Sequence, residues 1–545
     1  MRRAALPGVA MLAFALLPAQ PAGAATTIPD GTESTAGIQQ IGPGQYFSDT
    51  RTFEVGQTDV SAGSIGRRHA VVAPDGGPAI PEPVPASRPE LSVFGPGWEA
   101  EFLGGTINRK LETRKLATGN DAVVVTDLTD GTSTTYELRG GVTLPGGGGV
   151  RRFEAAGGSR LVESTHWDAA AAVLRSAISE TVAVNTGGAP EAGDDTFTDA
   201  GGTPLPPADL NPTYQWQRVG GSQGTDGWRV TGVGTRAFGV SSVTYDGQGR
   251  ISSVEEPAVG EAPKERLSVH YAPATTASAA SFGDYAGQVK EITLTTGAEE
   301  PQTVARYGYD PTGRLRTVTD PTEDIAPHAA YSYDPLGRLA SVESPERGTW
   351  GLDFPAGTAA PEAVATGEVP VPGMVLEGAE GINDPAATGP SPADFLPGGV
   401  ASPMAFPRSC TTAANWLWYT KKGCSAWVAH YGWRAPQWKK TPTGRTVVGV
   451  KHDHCTSSPD KPSGFDFRTA CDMHDYGYGL IGNTYKNYTY YLDRNRKTQV
   501  DDLFYTTLRD STCPKYRWSS TCKSVAWTYR QGVRGGNPKN GANAT

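Results

Sequence analysis

The stretch His452–Gly479, HDHCTSSPDKPSGFDFRTACDMHDYGYG, contains three histidines, five aspartates and two cysteines within 28 residues. In its second half, Cys471, His474 and Tyr478 are spaced at i, i+3 and i+7, so in a helix they share one face. Asp475 would point about 100° away from His474 around the same helix. One helix can therefore present a histidine and a carboxylate to two different neighbours, and this stretch is the candidate functional site.

The cysteines are confined to the C-terminal quarter of the chain. Six cysteines in one short segment are typical of disulfides in an exported protein, and they allow fifteen pairings. The first residues also favour export, because Arg2-Arg3, an apolar stretch and the small-residue motif at 22–24 predict a signal peptide over 1–24. A membrane anchor is disfavoured, since the apolar stretch is short and interrupted by proline. The cysteines are Cys410, Cys424, Cys455, Cys471, Cys513 and Cys522.

The pattern C-x-x-H-D-x-x-Y, read here from Cys471 to Tyr478, follows D-x-C-T and P-D-x-P-x-G-F-x-F-x-T-A-C. Together these motifs resemble the small bacterial and fungal branch of the secreted phospholipase A2 superfamily, over residues 410–535. The resemblance implies an all-α, disulfide-bonded catalytic domain, which we place at 408–545. It also implies the pairings Cys455–Cys471 and Cys513–Cys522, which leave Cys410 to pair with Cys424.

The family's chemistry implies a role for each site residue. His474 would be the general base that activates a water molecule for attack on the sn-2 ester, oriented by a carboxylate on the second long helix. Asp501 is at the matching position, with Asp502 as the substitute because the spacer after His474 is longer than in the small bacterial members. Asp453 and Asp475 would bind Ca²⁺ through side-chain oxygens, and His454 through its backbone carbonyl only.

Three other interpretations of these residues remain open. The set His452, His454, Cys455 and His474 can ligate zinc, although the spacing H-x-H-C is cramped. His474 can be a structural histidine. Asp453 can cap a turn or helix without binding a metal.

The charge is divided between two parts of the chain. From Arg408 onward, 21 Lys and Arg stand against 9 Asp and no Glu, whereas the remaining residues carry 27 basic and 48 acidic side chains. A basic module suits an anionic surface such as a phospholipid membrane or micelle. Nucleic acid is the competing polyanion, and we do not expect it as a partner. The acidic N-terminal portion is a candidate intramolecular partner for the basic module.

Residues 91–347 alternate short apolar runs with turn residues, which predicts β-structure. A repeat occurs in TYDGQGRISSV from Thr244, YGYDPTGRLRTV from Tyr307 and YSYDPLGRLASV from Tyr331. Each copy predicts a strand, an Asp-x-x-Gly turn and a strand, so stacked hairpins would form an extended sheet. The copies resemble the YD repeats of the RHS family, whose sheets coil into a hollow shell. The alternative is an ordinary β-rich domain with recurring hairpins.

Two Pro- and Gly-rich segments, 25–90 and 348–407, are predicted to be linkers. The sequence thus predicts a multidomain protein, all-β at its N-terminal side and all-α at its C-terminal end. The predicted function is that of a secreted, extracellular bacterial phospholipase A2 that requires calcium. The alternatives are a surface protein that binds carbohydrate or a partner and has a phospholipase-like end, and an RHS-type secreted toxin.

Overall fold

The computed structural model describes residues 33–34, 37–74, 79–184, 197–199, 202–220, 227–260, 262–322, 329–344, 347–366, 412–418, 436–450, 454–482, 492 and 496–536. Up to residue 366 the described elements are β-strands and short 3-10 turns, and from residue 412 they are mainly helices. The predicted division into an all-β N-terminal region and a helical C-terminal region is therefore confirmed. The proposed signal peptide at 1–24, Asp453, Cys410 and Cys424 lie outside the described residues.

The described residues of the β-part form 24 strands. They are β1 (Ile38–Ile41), β2 (Gly44–Phe47), β3 (Thr52–Val60), β4 (Ile65–Val72), β5 (Glu82–Pro83), β6 (Trp98–Glu101), β7 (Arg109–Lys115), β8 (Asp121–Asp127), β9 (Ser133–Thr143), β10 (Gly149–Glu154), β11 (Arg160–Asp168), β12 (Val173–Thr181), β13 (Thr213–Arg218), β14 (Trp228–Thr235), β15 (Gly239–Tyr245), β16 (Ile251–Glu256), β17 (Glu265–Tyr271), β18 (Val289–Thr296), β19 (Gln302–Tyr309), β20 (Leu315–Thr319), β21 (Ala329–Tyr333), β22 (Leu339–Ser344), β23 (Gly348–Asp353) and β24 (Glu362–Ala365).

The strands form two sheets. Strands β1 to β6 make a six-stranded sheet, and the eighteen strands β7 to β24 make a second sheet that closes on itself. In the closed sheet, strands that follow each other in the chain pair antiparallel. Neighbours in sequence are thus neighbours in space, as expected for stacked hairpins.

Both linker predictions are wrong over their described parts. Residues 38–83 hold β1 to β5, and Phe53 and Val55 alternate with more exposed residues in β3, which is the pattern of a strand with one buried face. Strands β23 and β24 lie between 348 and 366 and complete the closed sheet. Residues 367–407 lie outside the described residues.

The repeats owe their regularity to one tyrosine and one aspartate in each hairpin. The Tyr309 hydroxyl donates to the Val289 carbonyl of the preceding strand at 2.7 Å, and Tyr333 does the same to Leu315 at 2.7 Å. In the turn, one Asp334 oxygen accepts backbone N–H groups from Leu336 and Arg338 at 2.9 and 3.0 Å. The tyrosine therefore joins a hairpin to its predecessor, while the aspartate shapes the turn that follows.

The helical module contains a small sheet as well, which the all-α prediction missed. Its elements are α1 (Ala413–Leu417), β25 (Pro436–Lys440), β26 (Thr446–Val450), α2 (Arg468–Gly482), α3 (Lys497–Ser511) and α4 (Ser519–Arg534). The disulfides Cys455–Cys471 and Cys513–Cys522 are both present, as the resemblance implied. None of the helices in the described residues is long and apolar enough to span a membrane.

Ion pairs join the helical module to the β-part. In four of them the base belongs to α3 or α4 and the acid belongs to the β-part. Burial opposes ionisation of Glu256, but Arg530 and Arg534 outweigh it and lower the pKa of Glu256 to about 2. The pairs are Arg530–Glu256 at 2.6 Å, Lys523–Asp130 at 3.1 Å, Arg509–Glu101 at 3.2 Å and Arg534–Glu265 at 3.3 Å.

One glycine sets how closely the module approaches the β-part. Gly104 has a φ of +62°, and a Cβ atom there would lie 2.2 Å from Cε1 of Tyr505 on α3. The Gly104 carbonyl also accepts a hydrogen bond from Arg509 at 2.6 Å. Because side chains rarely adopt this φ and the space is filled, only glycine permits this contact.

Candidate active site

Helices α2 and α3 bring the candidate catalytic residues together because they pack closely. A Cβ atom on Gly477 of α2 would lie 2.5 Å from Cγ1 of Val500 on α3, so glycine allows the two backbones to approach. The Cys455–Cys471 disulfide ties the preceding loop to the first turns of α2. The predicted face of α2, with His474 and Tyr478, is turned toward α3.

A histidine–aspartate pair lies at the centre of this contact. His474 Nε2 is 2.9 Å from Asp501 Oδ1, and both side chains are buried, with His474 8% exposed. Because a carboxylate can only accept, Nε2 is the protonated nitrogen and Nδ1 carries the lone pair. The pair therefore has the arrangement of a general base whose tautomer is fixed by a carboxylate.

Two further groups hold the carboxylate of Asp501. The Tyr478 hydroxyl donates to Oδ1 at 2.8 Å, and Lys497 Nζ lies 2.6 Å from Oδ2, one helical turn away on α3. Burial alone would raise the pKa of Asp501, but Lys497 and the hydrogen bond from His474 outweigh it and lower that pKa below its ordinary value. Asp501 thus stays ionised in a buried setting.

The imidazole ring is fixed by aromatic neighbours. Its centroid lies 4.1 Å from the Tyr478 ring and 4.9 Å from the Phe504 ring. Lys497 extends the network, since its Nζ also donates to the carbonyls of Val533 and Arg534 at the end of α4, each at 3.0 Å. The site therefore depends on three helices.

The structure distinguishes between the two adjacent aspartates of α3. Asp501 meets His474, whereas Asp502 lies among Arg530, Ser64 and Glu256, away from the histidine. Burial raises the pKa of Asp502 to about 6, and its Oδ1 has no hydrogen-bond partner within the described ranges. The substitute assignment of Asp502 is therefore not supported by the geometry.

The predicted calcium ligands are described in part. The His454 Nδ1 atom lies 2.8 Å from Asp472 Oδ1, so its side chain is engaged, and the residue has a φ of +65° in the loop tied to α2. Asp475 follows His474 on α2, and Asp453 lies outside the described residues. Within the described ranges no three His, Cys, Asp or Glu side chains cluster as metal ligands.

The donor chemistry nevertheless fits a hard cation. A carboxylate from Asp475 and a backbone carbonyl from His454 are both oxygen donors, which Ca²⁺ prefers. The engaged His454 side chain agrees with a role for its backbone alone. Zinc does not fit, because Cys455 is oxidised in a disulfide and has no thiolate to offer.

Sequence reasoning missed three residues that complete the site: Asp472, Tyr478 as a hydrogen-bond donor, and Lys497. Asp472 holds the His454 side chain and is ion-paired with Lys439. A signal for Lys497 was present, since it precedes Asp501 by four residues and such pairs meet on a helix. The partner of Asp472 could not be read from the sequence, because it depends on how the loop before α2 folds.

Residues 428–536 match the family model for prokaryotic phospholipase A2. A secretory phospholipase A2 of Arthroderma benhamiae is 45% identical over 73 residues, which are 13% of this chain and 45% of that protein. Among solved structures, the Tc holotoxin pore of Photorhabdus luminescens aligns at 10% identity with a TM-score of 0.28, over 61% of this chain and 17% of that one. The chain thus spans less than half of the curated relative. The C-terminal part of the chain resembles prokaryotic phospholipases A2.

Proposed function

We propose that the C-terminal module is a calcium-dependent phospholipase A2 that hydrolyses the sn-2 ester of glycerophospholipids. The buried His474–Asp501 pair carries this proposal, since it lies inside the segment that matches the prokaryotic phospholipase A2 family. Export of the chain, by a signal peptide at 1–24, belongs to the same proposal.

The reaction needs a base for water, and the chain provides one. The Nδ1 atom of His474 takes a proton from the attacking water, and Asp501 stabilises the imidazolium that results. Such general base catalysis is worth about 10²–10⁴-fold in rate. Tyr478 and Lys497 keep the carboxylate in place, so the imidazole does not have to reorient during the reaction.

The Asp475 carboxylate and the His454 carbonyl would hold the calcium ion, with Asp453 as the third ligand from sequence. When bound, calcium supplies electrostatic stabilisation to the substrate phosphate and to the oxyanion of the reacting ester. The chain contributes the loop tied to α2 by Cys455–Cys471, which keeps the His454 carbonyl near the helix that carries the base.

The test is release of the sn-2 fatty acid from mixed-chain phosphatidylcholine by the full chain. We expect release with calcium, and its loss with a chelator or in His474→Ala. His270→Ala, at an exposed position of β17, is the matched control and should keep full activity. Calcium-independent release, or release by His474→Ala, would contradict the proposal.

A second candidate is a toxin in which the closed sheet carries the module. The ion pairs that join the two parts, such as Arg530–Glu256, favour this candidate because they hold the module against the sheet. Expression of residues 408–545 in a bacterial cytoplasm should then stop growth, and His474→Ala should abolish the effect. Normal growth with soluble, active module would argue against the toxin.

A further inference from the structure

Four strands of the closed sheet continue beyond its buried part. In β9 the last five residues, 139–143, are exposed, and so are the first three of β12, residues 173–175. Strands β10 and β11 pair between them, so the ends of β9 to β12 form a projecting double hairpin. We call residues 140–149 and 165–175 the flap.

The flap is apolar where it projects. Eleven large hydrophobic side chains are exposed in the described part of the chain, and five of them lie on the flap. Such concentration in one place is unusual for scattered surface residues, which normally stand singly. The five, with their exposed fractions, are Val142 (58%), Trp167 (56%), Leu144 (54%), Leu174 (47%) and Val173 (45%).

These side chains cover both faces of the flap. Trp167 is paired in register with Leu174, so the two share one face, the same face as the buried Leu161 six residues earlier. Val142 is paired with Val150, whose partner on β11 is Ser164, and this row belongs to the opposite face. An occupant of the flap must therefore meet apolar side chains on two sides.

Because apolar side chains lie on both faces, lipid is favoured over a protein as the occupant of the flap. A stable protein interface uses about 20–30 residues on each side, far more than the five here, and a rigid partner would cover one face of the flap. Lipid can close around both. Tryptophan is enriched at the membrane–water interface, because its ring is apolar and its N–H is polar.

Two ion pairs, one on the flap and one behind it, set the expected depth of insertion and the expected class of lipid. Arg175 pairs with Asp168 beside the tip, and Arg151 pairs with Glu163 at 3.2 Å behind it. Paired charges need no anionic headgroup, and an ion pair beside the tip stays in the polar layer. We propose that the flap is a lipid-docking surface that inserts into the headgroup region of a zwitterionic bilayer, whether or not the module hydrolyses lipid.

The experiment measures flotation of the full chain with phosphatidylcholine vesicles. The background is His474→Ala with a chelator present, so that the vesicles stay intact. We expect Trp167→Ser/Leu174→Ser to lower the bound fraction at least tenfold, and 0.5 M salt to leave it unchanged. Phe282→Ser/Leu336→Ser is the matched control, since these side chains are equally exposed elsewhere at 52% and 48%.

Trp167→Phe provides a second variant that keeps an apolar ring. Trp167→Phe should still bind the vesicles. Brominated phosphatidylcholine should quench a smaller fraction of the tryptophan fluorescence in Trp167→Phe than in the parent. The proposal is overturned if the parent does not float, or if the flap variant floats equally well. It is also overturned if the flap instead mediates self-association, seen as a concentration-dependent mass that the double variant loses without vesicles present.

Discussion

Replacing Asp502 with asparagine should stabilise the protein, although it removes a charge from a helix that bears the candidate catalytic aspartate. Asp502 is 2% exposed, and the pKa of its carboxyl is raised by burial to about 6. Its Oδ1 has no hydrogen-bond partner among the described residues. Asparagine has nearly the same shape and keeps an acceptor for Ser64, but carries no charge.

The magnitude follows from the two protonation states. An ordinary aspartate has a pKa of 3.8, so holding it at about 6 corresponds to roughly 3 kcal/mol at neutral pH. The folded state binds the proton more tightly than the unfolded state, so stability falls as pH rises from about 4 to about 6 and stays low above that. Asp502→Asn should therefore gain up to ~3 kcal/mol at pH 7.5 and almost nothing at pH 4.

Urea titration followed by hydrogen-exchange mass spectrometry of peptides from α3 would measure this gain in the full chain. Asp501→Asn is the matched control on the neighbouring residue. Lys497 and His474 lower the pKa of the Asp501 carboxyl although burial alone would raise it. Asp501→Asn should therefore lose stability at pH 7.5. Equal stability of Asp502→Asn and the parent at pH 7.5 would refute the reasoning. It would mean that the adjoining cavity of about 460 Å³ hydrates the carboxylate.

Three further predictions concern the site, the interface and the repeats. Lys497→Met should lower kcat for phospholipid roughly tenfold or more with little change in KM, since a charged hydrogen bond to Asp501 is worth about 1.5–3 kcal/mol. Equal kcat in Lys497→Met and Lys497→Arg would contradict this positioning role. Gly104→Ala should destabilise the chain by about 1–3 kcal/mol in thermal unfolding, because its Cβ would meet Tyr505. Tyr309→Phe should cost about 1 kcal/mol in the same assay, as the Val289 carbonyl loses its donor.

The predictions for Gly104→Ala and Tyr309→Phe each have a control variant. Gly131 also has a positive φ, of +74°, but a Cβ there would meet nothing within 4 Å. Gly131→Ala therefore measures the backbone strain alone, and an equal loss at both glycines would rule out the Tyr505 contact as the cause. Tyr333→Phe should cost more than Tyr309→Phe, because the Tyr333 hydroxyl donates to the Leu315 carbonyl at 2.7 Å and also accepts from Trp98 Nε1 at 2.8 Å. No loss in either would show that the tyrosines do not join the hairpins.

The histidine side of the site was predictable, whereas the choice of its partner was not. The spacing of Cys471, His474 and Tyr478 is enough to place them on one face of a helix. Asp501 and Asp502 are adjacent and point about 100° apart, so the rotation of α3 against α2 decides between them. That rotation depends on packing contacts such as the one between Gly477 and Val500, which are far apart in sequence.

In the β-part, too, the sequence predicted some features and not others. The repeat was visible in three copies, but Tyr271 makes the equivalent bond to the Ile251 carbonyl at 2.8 Å without a following aspartate, so its copy escaped notice. In residues 25–90 the alternation around Phe53 is diluted by glycines and prolines, which favoured a linker. Closure of the sheet could not be predicted at all, since it depends on the sum of the twists of eighteen strands.

The ion pairs between the helices and the β-part have a consequence for the order of folding. Strands of the closed sheet pair with their sequence neighbours, so the sheet can assemble from local contacts as the chain is synthesised. Arg530 is 274 residues away from Glu256, and it is synthesised after all eighteen strands of the closed sheet. Until then Glu256 faces the interior as a carboxylate without Arg530 and Arg534. We expect the early sheet to remain loose and hydrated inside, and to tighten only when α3 and α4 bring the arginines.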